Sequence, residues 1–210
     1  MNKKTQIKRF IAVLLIACIS IGVGVIVNEI WNFIDRKTHP LSYDEIITAA
    51  SEEFDVPKYI IYATIKVESD FDPDAVSSKG AIGLMQMLPK TFEWLTGDEH
   101  LGEHLPKRAL DTPEVSIRYG TYYLSYLYKK FDYNWNTAIA AYNGGEGNVA
   151  KLLKDPKYSD GEGNLTDFPE ELDETKNYVK KVKNAIDTYR ELYPDKLEGK
   201  STQTEKETKQ

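Results

Sequence analysis

The sequence predicts a mainly α-helical protein, and three observations carry that prediction. Apolar residues recur at steps of three and four through most of the chain; no stretch shows the strict alternation of a half-buried strand; and Pro, Gly and Asx residues fall where helices would start or stop. With 210 residues, 41% hydrophobic and 29% charged, the chain has material for one ordinary domain plus appendages. No internal repeat competes with that reading.

The elements run in order along the chain. Residues 1–9 form a basic leader, with Lys3, Lys4, Lys8 and Arg9 and no acid. Phe10 to Val27, FIAVLLIACISIGVGVIV, holds no charge and as a helix would span roughly 27 Å, close to the thickness of a bilayer's hydrocarbon core. The flanking cations would keep the N-terminus cytoplasmic and place residues 28 onward outside, so the run reads as a signal anchor. A signal peptide cleaved after small residues, and a lipoprotein signal at Leu15-Ile16-Ala17-Cys18, are the alternatives; the apolar run continuing past Cys18 weighs against the second. Residues 28–41 read as a linker.

The folded body is expected over residues 42–195. Ser42 is placed to cap a helix reaching Phe54, with Ile46, Ala49, Ala50 and Phe54 on one side, and Pro57 to open a second helix ending near Ser69. Residues 70–83, DFDPDAVSSKGAIG, read as an irregular loop, and Pro89 as the start of a short helix ended by Gly97. Residues 113–131 carry a core stripe through Ile117, Gly120, Leu124, Leu127 and Phe131. Residues 136–142, NTAIAAY, are small and apolar all round, so this helix belongs in the centre; Gly144, Gly145 and Gly147 break it before a short helix at 148–154. A last helix at 172–193 turns Val179, Val182, Ala185, Ile186 and Tyr189 inward. Residues 196–210 have too little apolar content to fold and read as a solvated tail.

Charge narrows the function. The net −6 divides into a leader of +4 and a body of −10, which argues against a protein that holds nucleic acid through a basic face. One cysteine, Cys18, permits no intramolecular disulfide, and with three histidines, His39, His100 and His104, the composition argues against a Cys/His zinc site. Asp70, Asp72 and Asp74 mimic alternating calcium ligands, but Ala75 and Ala81 stand where such a loop needs Gly and a bidentate Glu, so no metal is expected there.

Glu68 is the residue that stands out. On a helix from Pro57 it shares a face with Ile61, Thr64 and Ile65, while Lys66 points the other way. Most glutamates near a helix end turn to water. This one is carried toward the core, where partial burial disfavours the ionised form and raises the pKa, the condition for an acid that donates a proton near neutral pH.

The surroundings of Glu68 carry a resemblance. Residues 68–89, ESDFDPDAVSSKGAIGLMQMLP, resemble the signature of the soluble lytic transglycosylases. Asp111 to Leu127 is similar to the family's next helix through Pro113, Ile117, Gly120, Tyr123 and Leu124; Ala140 to Gly145, AAYNGG, and Glu174 to Val179, ETKNYV, resemble the last two motifs. Four blocks in the family's order cover about residues 42–193. Departures are Leu88 where Met is frequent, Gly145 for a common Ala, Glu146 where Pro is frequent, and Ser116 where Asn is usual; none removes a group the chemistry needs.

The resemblance implies a single goose-type-lysozyme-like helical domain behind the membrane helix. It further implies cleavage of the β-1,4 bond between N-acetylmuramic acid and N-acetylglucosamine in peptidoglycan, with no cofactor and with 1,6-anhydromuramic acid as product. It assigns Glu68 as the catalytic acid and base, and Ser69, Met85, Gln86, Tyr142, Asn143 and Tyr178 as substrate-binding residues. Expected partners are glycan strands, the membrane, and no nucleic acid; a cell-wall or secretion machine is a further possible partner. A hydrolytic muramidase of the same fold and a non-catalytic peptidoglycan-binding scaffold stand as alternatives.

Overall fold

The computed structural model describes residues 3–197, and the expected tail lies outside them but for its first two positions. The chain divides into two units, one up to Pro40 and one from Leu41.

The first unit is one helix, α1 (Lys3–Thr38). The expected apolar segment is its middle, and residues 28–38, read from sequence as linker, continue the same helix without a break. The described side chains from Phe10 to Val27 are all exposed. Val13–Thr38 is long and apolar enough to cross a membrane.

The second unit holds α2 (Asp44–Phe54), α3 (Lys58–Ser69), α4 (Pro89–Leu95), a 3-10 turn (Lys107–Asp111), α5 (Pro113–Lys130), α6 (Trp135–Gly144), α7 (Glu146–Leu152), α8 (Asp173–Leu192) and α9 (Pro194–Leu197), with a second 3-10 turn at Glu170–Leu172. Among the described residues there is no named strand, only isolated bridges such as Val76 with Ile82. Two expected helix starts move. Ser42 caps nothing: α2 begins after Tyr43, which sits in the left-handed region at φ 61° with no side-chain cap. Gly147 does not break a helix but lies inside the first turn of α7, where a missing side chain costs little.

The core has two halves. One gathers Ile47, Ile60, Ile61, Ile65, Val182 and Tyr189 from α2, α3 and α8; the other gathers Phe92, Leu95, Leu110, Tyr119, Leu127 and Val149 from α4, α5, α7 and the 3-10 turn before α5. α6 belongs to both, through Ile139 on one side and Ala138, Ala140 and Ala141 on the other. Its alanines let flanking helices approach closely, and its N-terminus is secured by Asn134, whose side chain accepts from the Thr137 N–H at 3.1 Å. The tail boundary needs correction: Leu197 is 1% exposed and packs into the first half of the core, so the folded body extends at least two residues beyond 195.

Candidate active site

α3 ends where Asp70 adopts the left-handed conformation (φ 53°) and its N–H closes on the Lys66 carbonyl at 3.2 Å. Glu68 sits in that last turn, two residues before the cap and one turn beyond the fully buried Thr64 and Ile65. Ile61, Thr64 and Ile65, expected to share its face, are buried, but so are Tyr62 and Ala63, and Lys66, expected to point away, is itself half-buried, because α3 is enclosed on every side up to Ile65. Glu68 is half-buried and forms part of a cleft of about 240 Å³.

The loop from Asp70 to Leu88 supplies the opposite lip. It is compact because its backbone bonds to itself: Gly83 N–H to the Ala75 carbonyl at 2.9 Å, and Ile82 and Met87 to each other at 3.0 and 3.1 Å. Gly83 is required twice over. Its φ is +77°, and a Cβ there would lie 2.8 Å from the Leu110 carbonyl oxygen and 2.9 Å from Ser116 Oγ. The loop can therefore lie directly on α5.

Three side chains, Ser69, Ser116 and Tyr142, lock this loop to the helices. Ser69 does not line the cleft; its hydroxyl donates to the Leu84 carbonyl at 2.8 Å, tying the end of the glutamate helix to the loop. Met85 does not line it either. It is fully buried, its N–H donates to Ser116 Oγ at 3.2 Å, and its carbonyl accepts the Tyr142 hydroxyl at 2.8 Å. Gln86 reaches the cleft, but its Nε2 is already donated to the carbonyls of Ala75 (2.9 Å) and Gly83 (3.0 Å), which leaves the amide oxygen as the group a ligand can meet. Ser116, seen from sequence only as a departure from the family pattern, is one of these fastenings.

Tyr142 and Asn143 both line the cleft. Asn143 Oδ1 accepts from Thr175 Oγ1 at 2.9 Å, which joins the end of α6 to the start of α8. Tyr178 is buried beside the Glu68 carboxyl rather than exposed in the cleft. Its hydroxyl is close enough to favour the ionised carboxylate, yet it meets no partner at strict hydrogen-bond geometry.

These surroundings set the charge of Glu68. Burial dominates and pushes the carboxyl up to about 7; the Tyr178 hydroxyl pulls it down, and the negative charge of Glu174 pushes it further up. Burial and the Glu68 charge together raise both Tyr142 and Tyr178 well above the ordinary tyrosine range, so the two phenols stay protonated. The site thus holds one carboxyl poised to exchange a proton near neutrality, flanked by neutral donors.

Of the cleft residues that sequence reasoning passed over, three bear on its chemistry. Glu174 and Lys79 face each other across 95 positions of sequence and pair at 2.8 Å, and Tyr123 on α5 forms one wall. Glu174 and Tyr123 both lay inside quoted motifs, but neither was given a role there. Lys79 gave no signal, because only the fold brings it to α8. Asp70, Asp72 and Asp74 are exposed and stand outside the cleft.

The described body is thus a helical domain whose cleft carries one half-buried glutamate with a raised pKa. The chain belongs to the transglycosylase SLT domain family, which matches residues 45–164. It is 32% identical over 176 residues to the soluble lytic murein transglycosylase of Escherichia coli K12, covering 82% of this chain and 26% of that one. It is also 29% identical over 186 residues to the membrane-bound lytic murein transglycosylase C of Serratia proteamaculans, covering 80% and 51%. Among solved structures, the 70 kDa soluble lytic transglycosylase of Escherichia coli superposes with a TM-score of 0.67 at 30% identity, over 78% of this chain and 26% of that one. The chain thus spans about a quarter of the soluble relatives it matches.

Proposed function

We propose that this protein is a peptidoglycan lytic transglycosylase that cleaves the β-1,4 bond between N-acetylmuramic acid and N-acetylglucosamine. The observation that carries the reading is Glu68: a half-buried carboxyl in the cleft, raised to about 7 by burial, with neutral tyrosines beside it. As an acid it donates its proton to the glycosidic oxygen as the bond to C1 breaks. As the resulting carboxylate it takes the proton of the muramyl C6 hydroxyl, whose oxygen bonds to C1 and closes the 1,6-anhydro ring. The proton balance closes on one residue, and no water enters.

A hydrolase needs a second carboxylate to activate water or to act as nucleophile. Among the described residues the other carboxylate lining the cleft is Glu174, and it is exposed and paired with Lys79. That residue gives the hydrolytic muramidase its one specific support, and the Lys79 pairing weighs against it. Mass spectrometry of digested murein separates the two: anhydromuramyl ends support the transglycosylase, hydrated reducing ends the muramidase. Loss of turnover in Glu68→Gln with near-normal turnover in Glu174→Gln is expected; equal loss in both would overturn the single-carboxyl mechanism. A scaffold without turnover would leave murein intact with or without Glu68.

The membrane reading extends the same proposal. α1 would span the bilayer with the basic leader on the cytoplasmic side, holding the catalytic unit within reach of the wall. Protease added to cells stripped of their wall should remove the catalytic unit; protection from protease would reverse the topology.

A further inference from the structure

The wall of the cleft does not end at Tyr123. Three helices each carry a residue at the cleft and, within three positions, a residue of a second cluster: Thr91 and Trp94 on α4, Tyr123 and Tyr126 on α5, Gly145 and Glu146 at the start of α7. Trp94 and Tyr126 meet almost at right angles with centroids 5.2 Å apart. Tyr123 stacks with Tyr126 at 6.3 Å and 14° and meets Trp94 edge-on at 6.4 Å, so one aromatic run leads out of the cleft. Lys130 Nζ donates to the Tyr126 hydroxyl at 3.0 Å and pairs with Glu146 at 3.1 Å. The other carboxylate oxygen of Glu146 is buried without a donor.

Packing alone leaves this cluster unexplained. His100 packs edge-on against Trp94 at 4.1 Å and fixes the indole, yet Trp94 remains 37% exposed. A large aromatic held rigid but uncovered, with a cation and an anion beside it, offers what a pyranose ring can use: a flat apolar surface for its C–H face and polar groups for its hydroxyls. Glu146 and Lys130 add charge beside this aromatic run, and Tyr126 and Lys130 also line a second hollow with Glu53, Phe54 and Tyr122.

We propose that Trp94, Tyr126 and the Lys130–Glu146 pair form a distal shelf that seats a sugar ring of the same glycan strand whose scissile bond lies over Glu68. The occupant follows from continuity: Tyr123 and Thr91 line the cleft, Tyr126 stacks on the first and Trp94 lies one turn of α4 beyond the second, so a polymer extending past that wall meets Trp94 and Tyr126 next. The shelf rests on the reading of the cleft as a glycan site, and its consequence is a preference for long strands over short ones.

The test uses the full chain in detergent in a Glu68→Gln background, so that strands are bound and not consumed. Affinity is measured for peptide-free glycan strands too short to pass Tyr123 and for strands several times longer. Long strands should bind about tenfold more tightly, Trp94→Ala should erase that advantage while leaving short-strand affinity unchanged, and Trp94→Phe should keep most of it. Lys130→Met, on the exposed side of α5, should reduce the advantage in part and guards against a folding defect in the tryptophan variant. Equal weakening at both lengths, no effect of either variant, or a length effect seen only with peptide-bearing strands would overturn the shelf. Failure of the enzyme reading is a separate result: no fragments released from murein by the unmutated chain.

Discussion

Gly120 on α5 backs onto Met85 in the loop across the cleft, and a methyl group at Gly120 would lie 2.7 Å from the Met85 Cβ. A Cβ is anchored to the backbone, so no rotamer of Met85 relieves that approach. The loop that carries Gln86 and the carbonyl for Tyr142 therefore sits at its present depth only because residue 120 has no side chain. Gly120→Ala should cost about 1–2 kcal/mol net, the strain of overpacking less the helix propensity gained by alanine, and should lower turnover by displacing the loop. Chemical denaturation and murein release by the same preparation check both halves.

Glu68 makes stability depend on pH in a definite direction. Its folded pKa, about 7, lies above the ordinary 4.5, so between those values the folded state binds the proton more tightly than the unfolded chain. The associated stability is fully present below about pH 4.5, falls as pH rises, and is lost above about pH 7, a span of about 3 kcal/mol. Glu68→Gln should remove that dependence, making the variant the more stable form at pH 8 while it is inactive. Melting temperatures of both proteins across pH would show the two curves separating between about pH 4.5 and pH 7 and keeping a constant offset above that; curves parallel through that window would sink the assignment of a raised pKa.

Tyr178 lowers the Glu68 pKa by favouring its charged form, against the larger effect of burial. Tyr178→Phe should therefore move the basic limb of the pH-rate profile upward, because the acid holds its proton to higher pH. The fold should tolerate the change, since the hydroxyl removed has no hydrogen-bond partner at strict geometry. A downward shift would mean that Tyr178 acts on the neutral carboxyl instead.

Ser69 joins two parts of the site rather than meeting solvent, donating to the Leu84 carbonyl at 2.8 Å. Ser69→Ala leaves that carbonyl short of a partner and should cost about 1–2 kcal/mol. Turnover should fall through a lower kcat, with KM nearly constant, if the residue positions the loop; a rise in KM alone would restore the substrate-binding role expected from the resemblance.

Leu197 tests the corrected end of the folded body. It is buried in the core formed by α3 and α8, so Leu197→Ala should destabilise by about 2–4 kcal/mol, as for other large-to-small core changes. Urea unfolding with an unchanged slope and a lower midpoint is the expected result; a substitution without effect is what a solvated tail would give.

The sequence by itself determined the helices of the body, the apolar N-terminal segment, the inward face of Glu68 and the order of the four motifs. Those are properties of periodicity and of local residue type, and they survive without knowledge of what packs on what. It also determined that α6 is central, because a helix of alanines with no polar face has nowhere else to go. Tertiary structure decided the roles within the site. Met85, Ser69 and Gln86 sit in one motif and look alike as binding candidates, but one is core, one is a brace, and one presents a single amide oxygen. Lys79 with Glu174, and Trp94 with Tyr126, are partners across distances in sequence that no local pattern encodes. Burial and hydrogen bonding depend on the neighbours that the fold supplies, so whether a side chain is offered to a ligand or consumed by the protein is settled only when the chain has closed on itself.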